Sequence, residues 1–129
     1  GGGGVSVCPA SGITVACAIV GNVNAMVAAA RSANVTLTGG GYRSTASQIE
    51  LRKAHCGTSY YAIYQMPSKQ CNPDTAIPGT SQHELGLAID FSNCSSKSSA
   101  CFTWLSANAA RFGFYNYPRE PWHWSTTGR

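Results

Sequence analysis

Two histidines and two acids lie in short apolar stretches of the chain, and their types suit metal chemistry. His83 and Asp90 bound the stretch HELGLAID, and Glu120 precedes His123 by three residues in EPWH. Burying an unpaired carboxylate is costly, so Asp90 needs a cation, a hydrogen-bond cluster or a metal as its partner. If the two segments pair, both imidazoles and Asp90 meet at one point, with Glu120 close by. Two histidines, one carboxylate and an open fourth position form the ligand set of a catalytic zinc ion, and a further carboxylate can then accept a proton.

Each of these residues taken singly also has a purely structural interpretation. His83 and His123 could be hydrogen-bonded histidines without a metal, and Asp90 could cap a backbone turn. Glu120 could be a surface acid paired with Arg119, its neighbour in the sequence. Only the joint pattern predicts a metal site.

Other reaction types fit the same residues less well. Ser81, His83 and Asp90 have the residue types of a serine-hydrolase triad, but GTSQH is not a G-x-S-x-G nucleophile turn. Glu84 and Glu120 could be the two carboxylates of a glycosidase, but that reaction leaves the histidines without a role. We expect Glu84 to be solvated, because the leucine that follows it is expected to point inward.

The elements that must position these side chains form a mixed α+β pattern, which predicts an antiparallel sheet flanked by helices. Helices are predicted over 20–34, 44–55 and 100–114, strands over 35–38 and 86–91, and an extended segment over 120–124. Ser44 or Thr45 is expected to cap the second helix, and Gly113 to end the third. Pro121 favours an edge strand or the start of a strand. Residues 56–80 are rich in Gly, Pro, Asn and Ser and are predicted to form a long loop.

Composition places the chain among small globular domains. We expect a flexible Gly-rich segment at 1–7 and one domain over 8–129, with no apolar run of the ~20 residues that span a bilayer. Only five acids occur, so any carboxylate chemistry must use Glu50, Asp74, Glu84, Asp90 or Glu120. The nine basic residues give a net charge of +4 without forming a run, which argues against nucleic-acid binding. We expect a monomer.

Six cysteines in so short a chain indicate an oxidising compartment and a domain stapled by disulfides. Six cysteines allow about fifteen pairings, and the sequence does not choose among them. Neighbouring positions favour the pairs Cys8–Cys17, Cys56–Cys71 and Cys94–Cys101. A zinc–thiolate site is the competing interpretation, but the chain contains no C-x-x-C spacing.

Three motifs together resemble those of one known family. SQHELGLAID fits S-x-H-x-x-G-x-A-x-D, EPWH fits E-x-W-H, and GGYRS at 40–44 is similar to an upstream G-Y-R-S segment. In this order they resemble the VanY-like zinc D-alanyl-D-alanine carboxypeptidases, peptidoglycan peptidases that share the fold of the Hedgehog signalling domain. The likeness extends over roughly residues 35–125. It implies that His83, Asp90 and His123 bind one zinc ion and that Glu120 is the general base.

The same resemblance implies how a substrate is held. Arg43 is expected to contact its carbonyl or carboxylate, since a guanidinium offers a planar fork of donors. Ser81 and Gln48 are expected to line the same pocket, with Tyr42 and Trp122 shaping its walls. The structural alternatives are an ion pair for Arg43, a turn cap for Ser81 and a solvated helix face for Gln48. As a group, the three tryptophans are expected in the core.

The resemblance implies a secreted or cell-wall-associated zinc peptidase of bacterial or phage type, acting on peptidoglycan stem peptides. Hydrolysis of the terminal D-Ala–D-Ala bond is the expected reaction. A peptidoglycan endopeptidase, a D,D-dipeptidase and a catalytically silent zinc-containing binding module remain alternatives, as does a disulfide-stapled recognition domain without metal. The motifs contain the metal ligands and the general base, which the peptidases among these alternatives share. We therefore expect loop 56–80 to determine substrate specificity.

Overall fold

Two antiparallel sheets and four α-helices make up the protein in the computed structural model, which describes residues 5–129. The helices are α1 (Val20–Ser32), α2 (Thr45–His55), α3 (Tyr60–Tyr64) and α4 (Ala100–Asn108). The strands are β1 (Val7–Ala10), β2 (Ile13–Ala16), β3 (Gly39–Gly40), β4 (Ala88–Phe91), β5 (Tyr115–Tyr117) and β6 (Glu120–Ser125). Strands β1 and β2 form a hairpin, and the larger sheet has the order β3-β4-β6-β5. The predicted α+β architecture is confirmed.

The flexible segment expected at 1–7 stays a prediction. Residues 1–4 lie outside the described residues, whereas Val7 pairs with Ala16 as the first residue of β1. Within residues 5–129, no helix is long and apolar enough to cross a bilayer.

The predicted helices form where their signals lie. In α1 the buried side chains are Val23, Met26, Val27 and Ala30, which recur at helical spacing. Ser44 caps α2, because its side chain accepts a hydrogen bond from the backbone N–H of Ser47 at 3.1 Å. Helix α4 ends at Asn108, and one 3₁₀ turn carries the chain to Gly113, whose φ of 86° stops it as predicted.

The alternation of side chains along β4 and β6 separates the core from the polar residues. Ile89, Phe91 and Trp124 are buried in the hydrophobic cluster to which α1 and α4 contribute. Asp90 and His123 alternate with them and therefore point to the opposite face of the sheet. The apolar neighbours of Asp90 thus belong to the core, while Asp90 itself does not.

The strand predicted at 35–38 is wrong by a few residues, because the pairing occurs at Gly39 and Gly40. Gly39 lies opposite Phe91 and Gly40 opposite Asp90. A Cβ on Gly39 would collide with the backbone carbonyl of Asp90, so only glycine allows β3 to approach β4 this closely.

Residues 56–80 are more ordered than the predicted loop, since they contain α3 and a 3₁₀ turn at Ser68–Gln70. Arg52 on α2 is fully buried and organises this segment through its guanidinium. It donates to four backbone carbonyl oxygens, those of Ala62, Ile63, Met66 and Thr75, at 2.6–2.9 Å. Folding of the segment therefore depends on a residue outside it.

The six cysteines adopt disulfide geometry in the three expected pairs. Cα–Cα distances are 4.9 Å for Cys8–Cys17, 4.5 Å for Cys56–Cys71 and 5.1 Å for Cys94–Cys101. Each bridge closes a loop of 15 residues or fewer, so each holds a local turn. The second bridge closes the segment that contains α3.

Candidate active site

Strand register brings Asp90 and His123 together. They lie directly opposite each other on β4 and β6, and His123 Nδ1 is 2.9 Å from Asp90 Oδ1. Opposed residues of an antiparallel pair have neighbouring side chains, so two residues 33 apart in the sequence share one site.

His83 reaches the same point from a 3₁₀ turn, Gln82–Leu85, that precedes β4. Its Nε2 lies 3.1 Å from Asp90 Oδ1 and 3.3 Å from His123 Nδ1. The turn ends at Gly86, which has a φ of 71° and approaches the backbone of Ala16 closely, so a Cβ there would clash. One ligand atom from each of the three residues lies within 4.8 Å of the other two.

The turn is held by a capping box that the sequence signal S-x-x-E could have revealed. Ser81 accepts a hydrogen bond from the N–H of His83, and Glu84 accepts from the N–H groups of Ser81 and Gly79. Glu84 is thus partly exposed and bonded to backbone N–H groups, and Leu85 is about half exposed rather than inward-pointing as expected.

Hydrogen bonds on the outer sides of both imidazoles prepare the inner nitrogens as ligands. His83 Nδ1 lies 2.7 Å from the Gly41 carbonyl oxygen, and His123 Nε2 lies 3.2 Å from the backbone oxygen of Arg129. Because a backbone oxygen can only accept, each outer nitrogen carries the hydrogen. In the neutral imidazoles, the inner nitrogens then present lone pairs to each other and to Asp90. Three acceptors this close need a cation between them, and two imidazoles with a carboxylate suit a divalent metal such as zinc.

The charges of the site follow from the same contacts. Burial alone would raise the pKa of Asp90, but His123 and His83, when protonated on their inner nitrogens, donate hydrogen bonds that outweigh it and hold that pKa well below its usual range. Burial opposes the charged form of His123, yet the adjacent Asp90 carboxylate raises its pKa overall. The Asp90 carboxylate thus favours a positive charge beside the two inner nitrogens.

Glu120 lies beside this cluster with its side chain largely buried. Its Oε1 is 4.0 Å from His123 Nδ1, and only 14% of the side chain is exposed. Burial raises the pKa of Glu120 to about 6, an effect opposed by the nearby His123 and aided by the carboxylates of Asp90 and Asp74. A carboxylate with a pKa in this range can both accept and release a proton near neutral pH.

The neighbouring Arg119 pairs with a different acid. Its guanidinium makes a two-point contact with Asp74, with Nη2 at 3.1 Å from Oδ1 and Nε on Oδ2. The Tyr117 hydroxyl donates to Asp74 Oδ2 at 2.9 Å. The alternative that made Glu120 a surface acid bound to Arg119 is therefore wrong.

Arg43 connects the cluster to the rest of the cavity. Its Nη2 is 3.5 Å from Asp90 Oδ2, and its Nη1 donates to Gln48 Oε1 at 2.9 Å. The Gln48 amide in turn donates to the Ala76 carbonyl oxygen at 2.8 Å. Gln48 is thus buried in the site, and the alternative of a solvated helix face is wrong.

These side chains open into a cavity of about 360 Å³. Its lining includes the three clustered residues together with Arg43, Gln48, Ser81, Glu120 and Trp122. Tyr42 is the exception, because it is exposed and lines an adjoining, more open groove that shares Arg43 and Asp90 with the cavity. Of the three tryptophans, only Trp124 is fully buried in the core, while Trp122 lines the cavity.

Three contributors were not identified from the sequence. Asp74 and Tyr117 line the cavity and are tied to each other, and Asn116 contacts the backbone of β6 beside them. No local pattern marks these residues, because each acts through partners distant in the chain or through an irregular strand.

Comparison with known proteins agrees with this geometry. The family model described as VanY, D-alanyl-D-alanine carboxypeptidase, matches residues 12–129. A D-alanyl-D-alanine carboxypeptidase of Enterococcus faecalis (strain ATCC 700802 / V583) is 33% identical over 103 residues, covering 68% of this chain and 38% of that protein. The chain thus matches well under half the length of this relative.

Solved structures show the same similarity. VanYB in complex with D-alanine-D-alanine has a TM-score of 0.69 at 27% identity, over 94% of this chain and 76% of that one. A mutant of the vancomycin-resistance D,D-pentapeptidase VanY from a VanB-type cassette, in complex with Zn(II), has a TM-score of 0.68 at 28% identity, over 94% and 78%. From the family model and these likenesses, the chain belongs to the VanY family of D-alanyl-D-alanine carboxypeptidases.

Proposed function

We propose that this chain is a zinc-dependent peptidoglycan peptidase that removes the terminal D-alanine from stem peptides ending in D-Ala–D-Ala. The observation that carries the proposal is the convergence of His83 Nε2, Asp90 Oδ1 and His123 Nδ1, with both outer nitrogens bonded to backbone oxygens. Related proteins support it, since one solved relative holds D-alanine-D-alanine and another holds Zn(II).

The proposed metal ligands are His83, Asp90 and His123, which leave the cavity side of the cluster open to solvent and substrate. Zinc bound there would supply a Lewis acid that polarises the scissile carbonyl and lowers the pKa of an attacking water. Glu120, on the cavity side of His123, takes a proton from that water and delivers it to the amine of the leaving D-alanine.

Substrate binding is assigned to the polar groups that surround Arg43. Its guanidinium is fixed by Gln48 on one nitrogen and lies near Asp90 with another, so its remaining N–H groups face a substrate carboxylate or developing oxyanion. Ser81 and Trp122 line the cavity beside it, and Tyr42 borders the adjoining groove. We assign these three to the walls of the substrate site.

The adjoining groove supports an endopeptidase as a second candidate. It continues from Arg43 and Asp90 past Tyr42 and Gly40, so a peptide could extend beyond the scissile bond on that side. A carboxypeptidase substrate ends near Arg43, whereas an endopeptidase substrate would occupy this groove as well.

A secreted or cell-wall-associated location follows from the same proposal. Disulfide geometry at all six cysteines suits an oxidising compartment, and the proposed substrate lies outside the cytoplasmic membrane. A monomeric state remains a prediction, to be measured by light scattering.

Mass spectrometry of defined stem peptides tests the function. The zinc-loaded protein is incubated with a pentapeptide stem ending in D-Ala–D-Ala and with a matched stem ending in D-Ala–L-Ala. We expect loss of one alanine from the first peptide only. Internal fragments would favour the endopeptidase, and no product from any stem, with zinc bound, would leave a silent binding module.

A further inference from the structure

An irregularity in the β5–β6 pairing places Glu120 beside His123. Tyr117 lies opposite Glu120, and the preceding residue of β5, Asn116, lies opposite Trp124. Residues 121–123 of β6 therefore have no partner on β5 and form a bulge. In a regular strand, side chains three residues apart point to opposite faces, so without the bulge Glu120 could not share a face with His123.

A bulge removes backbone groups from the ladder, and here side chains take over as their partners. Asn116 Nδ2 donates to the backbone carbonyl oxygen of Glu120 at 3.0 Å and to that of His123 at 3.1 Å. The Trp124 indole donates to the carbonyl oxygen of Pro121 at 2.9 Å. A side-chain amide carries two N–H groups, so one Asn116 nitrogen can serve both carbonyls.

We propose that Asn116 is a positioning residue, which holds the general base and one metal ligand at their working separation through the backbone. This rests on the proposed function, in which Glu120 and His123 act on the same reaction. The Asn116 amide donates one hydrogen bond to the backbone at each end of the bulge, one to Glu120 and one to His123. Both hydrogen bonds go to backbone oxygens, so Asn116 acts by fixing two points of the backbone.

Residue type matters at this position because the two partners are both acceptors. Aspartate has nearly the same shape as asparagine, but it would place a carboxylate oxygen, which can only accept, against two carbonyl oxygens. Alanine would leave both carbonyls without a side-chain donor. Both substitutions therefore loosen the bulge, one of them with little change in volume.

The test compares Asn116→Ala and Asn116→Asp with Asn93→Ala. Asn93 also donates its side-chain amide to a backbone carbonyl, that of Thr36 at 2.6 Å, but does not line the cavity. For both Asn116 variants we expect kcat on the stem pentapeptide to fall about 10- to 100-fold and the zinc dissociation constant to rise about tenfold. We expect KM to stay within about twofold, since the groups around Arg43 are untouched.

Zinc affinity is measured by competition with a chromogenic chelator, and folding by circular dichroism. Unchanged kcat and zinc affinity in folded Asn116→Asp would overturn the proposal, as would equal losses in Asn93→Ala. If Asn116→Ala does not fold, the kcat and zinc affinity of the isosteric Asn116→Asp variant test the proposal. Wild-type protein that cleaves no stem peptide would end the proposed function, whereas the zinc-affinity comparison would still test whether Asn116 positions His123.

A double-mutant comparison tests the route through Glu120. If Asn116 affects kcat by placing that carboxylate, adding Asn116→Ala to Glu120→Ala at saturating zinc should reduce the residual kcat by less than about twofold, because the base being positioned is already gone and His123 keeps its metal. An equal fold-loss in both backgrounds would contradict the assignment.

Discussion

Asp90 and His123 face each other across β4 and β6 with Oδ1 and Nδ1 only 2.9 Å apart, and His83 Nε2 lies within 3.3 Å of both. The outer nitrogens of both imidazoles are bonded to backbone oxygens. With both imidazoles neutral, the inner atoms are acceptors that repel one another unless a proton or a metal ion lies among them. Metal binding should consequently be a large part of the stability of this face of the sheet.

Removal of zinc should lower the melting temperature. At zinc concentrations about a thousand times the dissociation constant, binding adds about 4 kcal/mol, or a shift of ten degrees or more for a domain of this size. Calorimetry with and without a chelator measures the shift. His83→Ala should abolish most of it, whereas His55→Ala, which alters a histidine bonded to Thr75 outside the cluster, should retain it. An equal shift in both variants would exclude this cluster as the metal site.

Glu120→Gln should separate catalysis from metal binding. The amide keeps the shape of the side chain but cannot accept a proton, so kcat should fall at least about 100-fold. Zinc content should stay near one ion per chain, because Glu120 is not among the three clustered ligands. Arg31→Gln is the control, since Arg31 is an exposed residue on α1 that lines neither the cavity nor the adjoining groove. Activity that survives Glu120→Gln would indicate another base or no enzymatic role.

The two glycines of β3 should respond differently to alanine. A methyl group on Gly39 meets the Asp90 backbone, whereas one on Gly40 meets nothing within 4 Å. We expect Gly39→Ala to destabilise the fold by about 1–3 kcal/mol and to weaken zinc binding by displacing β4. Gly40→Ala should change stability by less than about 0.5 kcal/mol. Denaturant unfolding of both variants measures this, and equal stabilities would contradict the close approach of β3 to β4.

The convergence of Asp90 and His123 could be anticipated from the sequence, because the family motifs marked these residues and strand periodicity explains how they meet. Strand alternation puts Asp90 and His123 on the face opposite Ile89 and Trp124, and antiparallel pairing then joins them. Helix α2 and its cap at Ser44 could also be predicted, since local spacing specifies the helix and one hydroxyl specifies the cap.

What could not be predicted depends on contacts between distant residues. The segment 56–80 has the composition of a loop, yet Arg52 orders it by binding carbonyl oxygens of α3 and its neighbours. The bulge in β6 is invisible to a period-two pattern, so the role of Asn116 could not be anticipated. The pairing of Arg119 with Asp74 instead of the adjacent Glu120 also required the folded chain.

The contact between Asp74 and the β5–β6 hairpin should make stability depend on pH. Hydrogen bonding from Arg119, opposed by burial and aided by the Tyr117 hydroxyl, holds the pKa of Asp74 below its usual value. A carboxylate with a depressed folded-state pKa stabilises the fold above its unfolded pKa of about 4 and loses that contribution as the pH falls through its folded pKa.

Asp74→Asn should therefore be less stable than the parent by about 1 kcal/mol at neutral pH, a modest figure because Arg119 is half exposed. The difference should shrink as the pH drops below about 4. Thermal melts of metal-free protein across this range measure it, and Glu50→Gln serves as the exposed-pair comparison. A difference that is constant with pH would mean that Asp74 is not charged in the folded protein.

Arg52→Met should be the most destabilising of these substitutions. It removes the donors to four backbone carbonyl oxygens and leaves them in the interior without their partner, which should cost at least about 3 kcal/mol. Arg52→Lys should recover only part of this, since an ammonium group cannot reproduce the guanidinium fork. Arg31→Met on the exposed face of α1 is the control and should lie within about 0.5 kcal/mol of the parent. Guanidinium unfolding measures all three; if Arg52→Met lost less than about 1 kcal/mol, the segment 56–80 would have to be held by its disulfide and its own contacts instead.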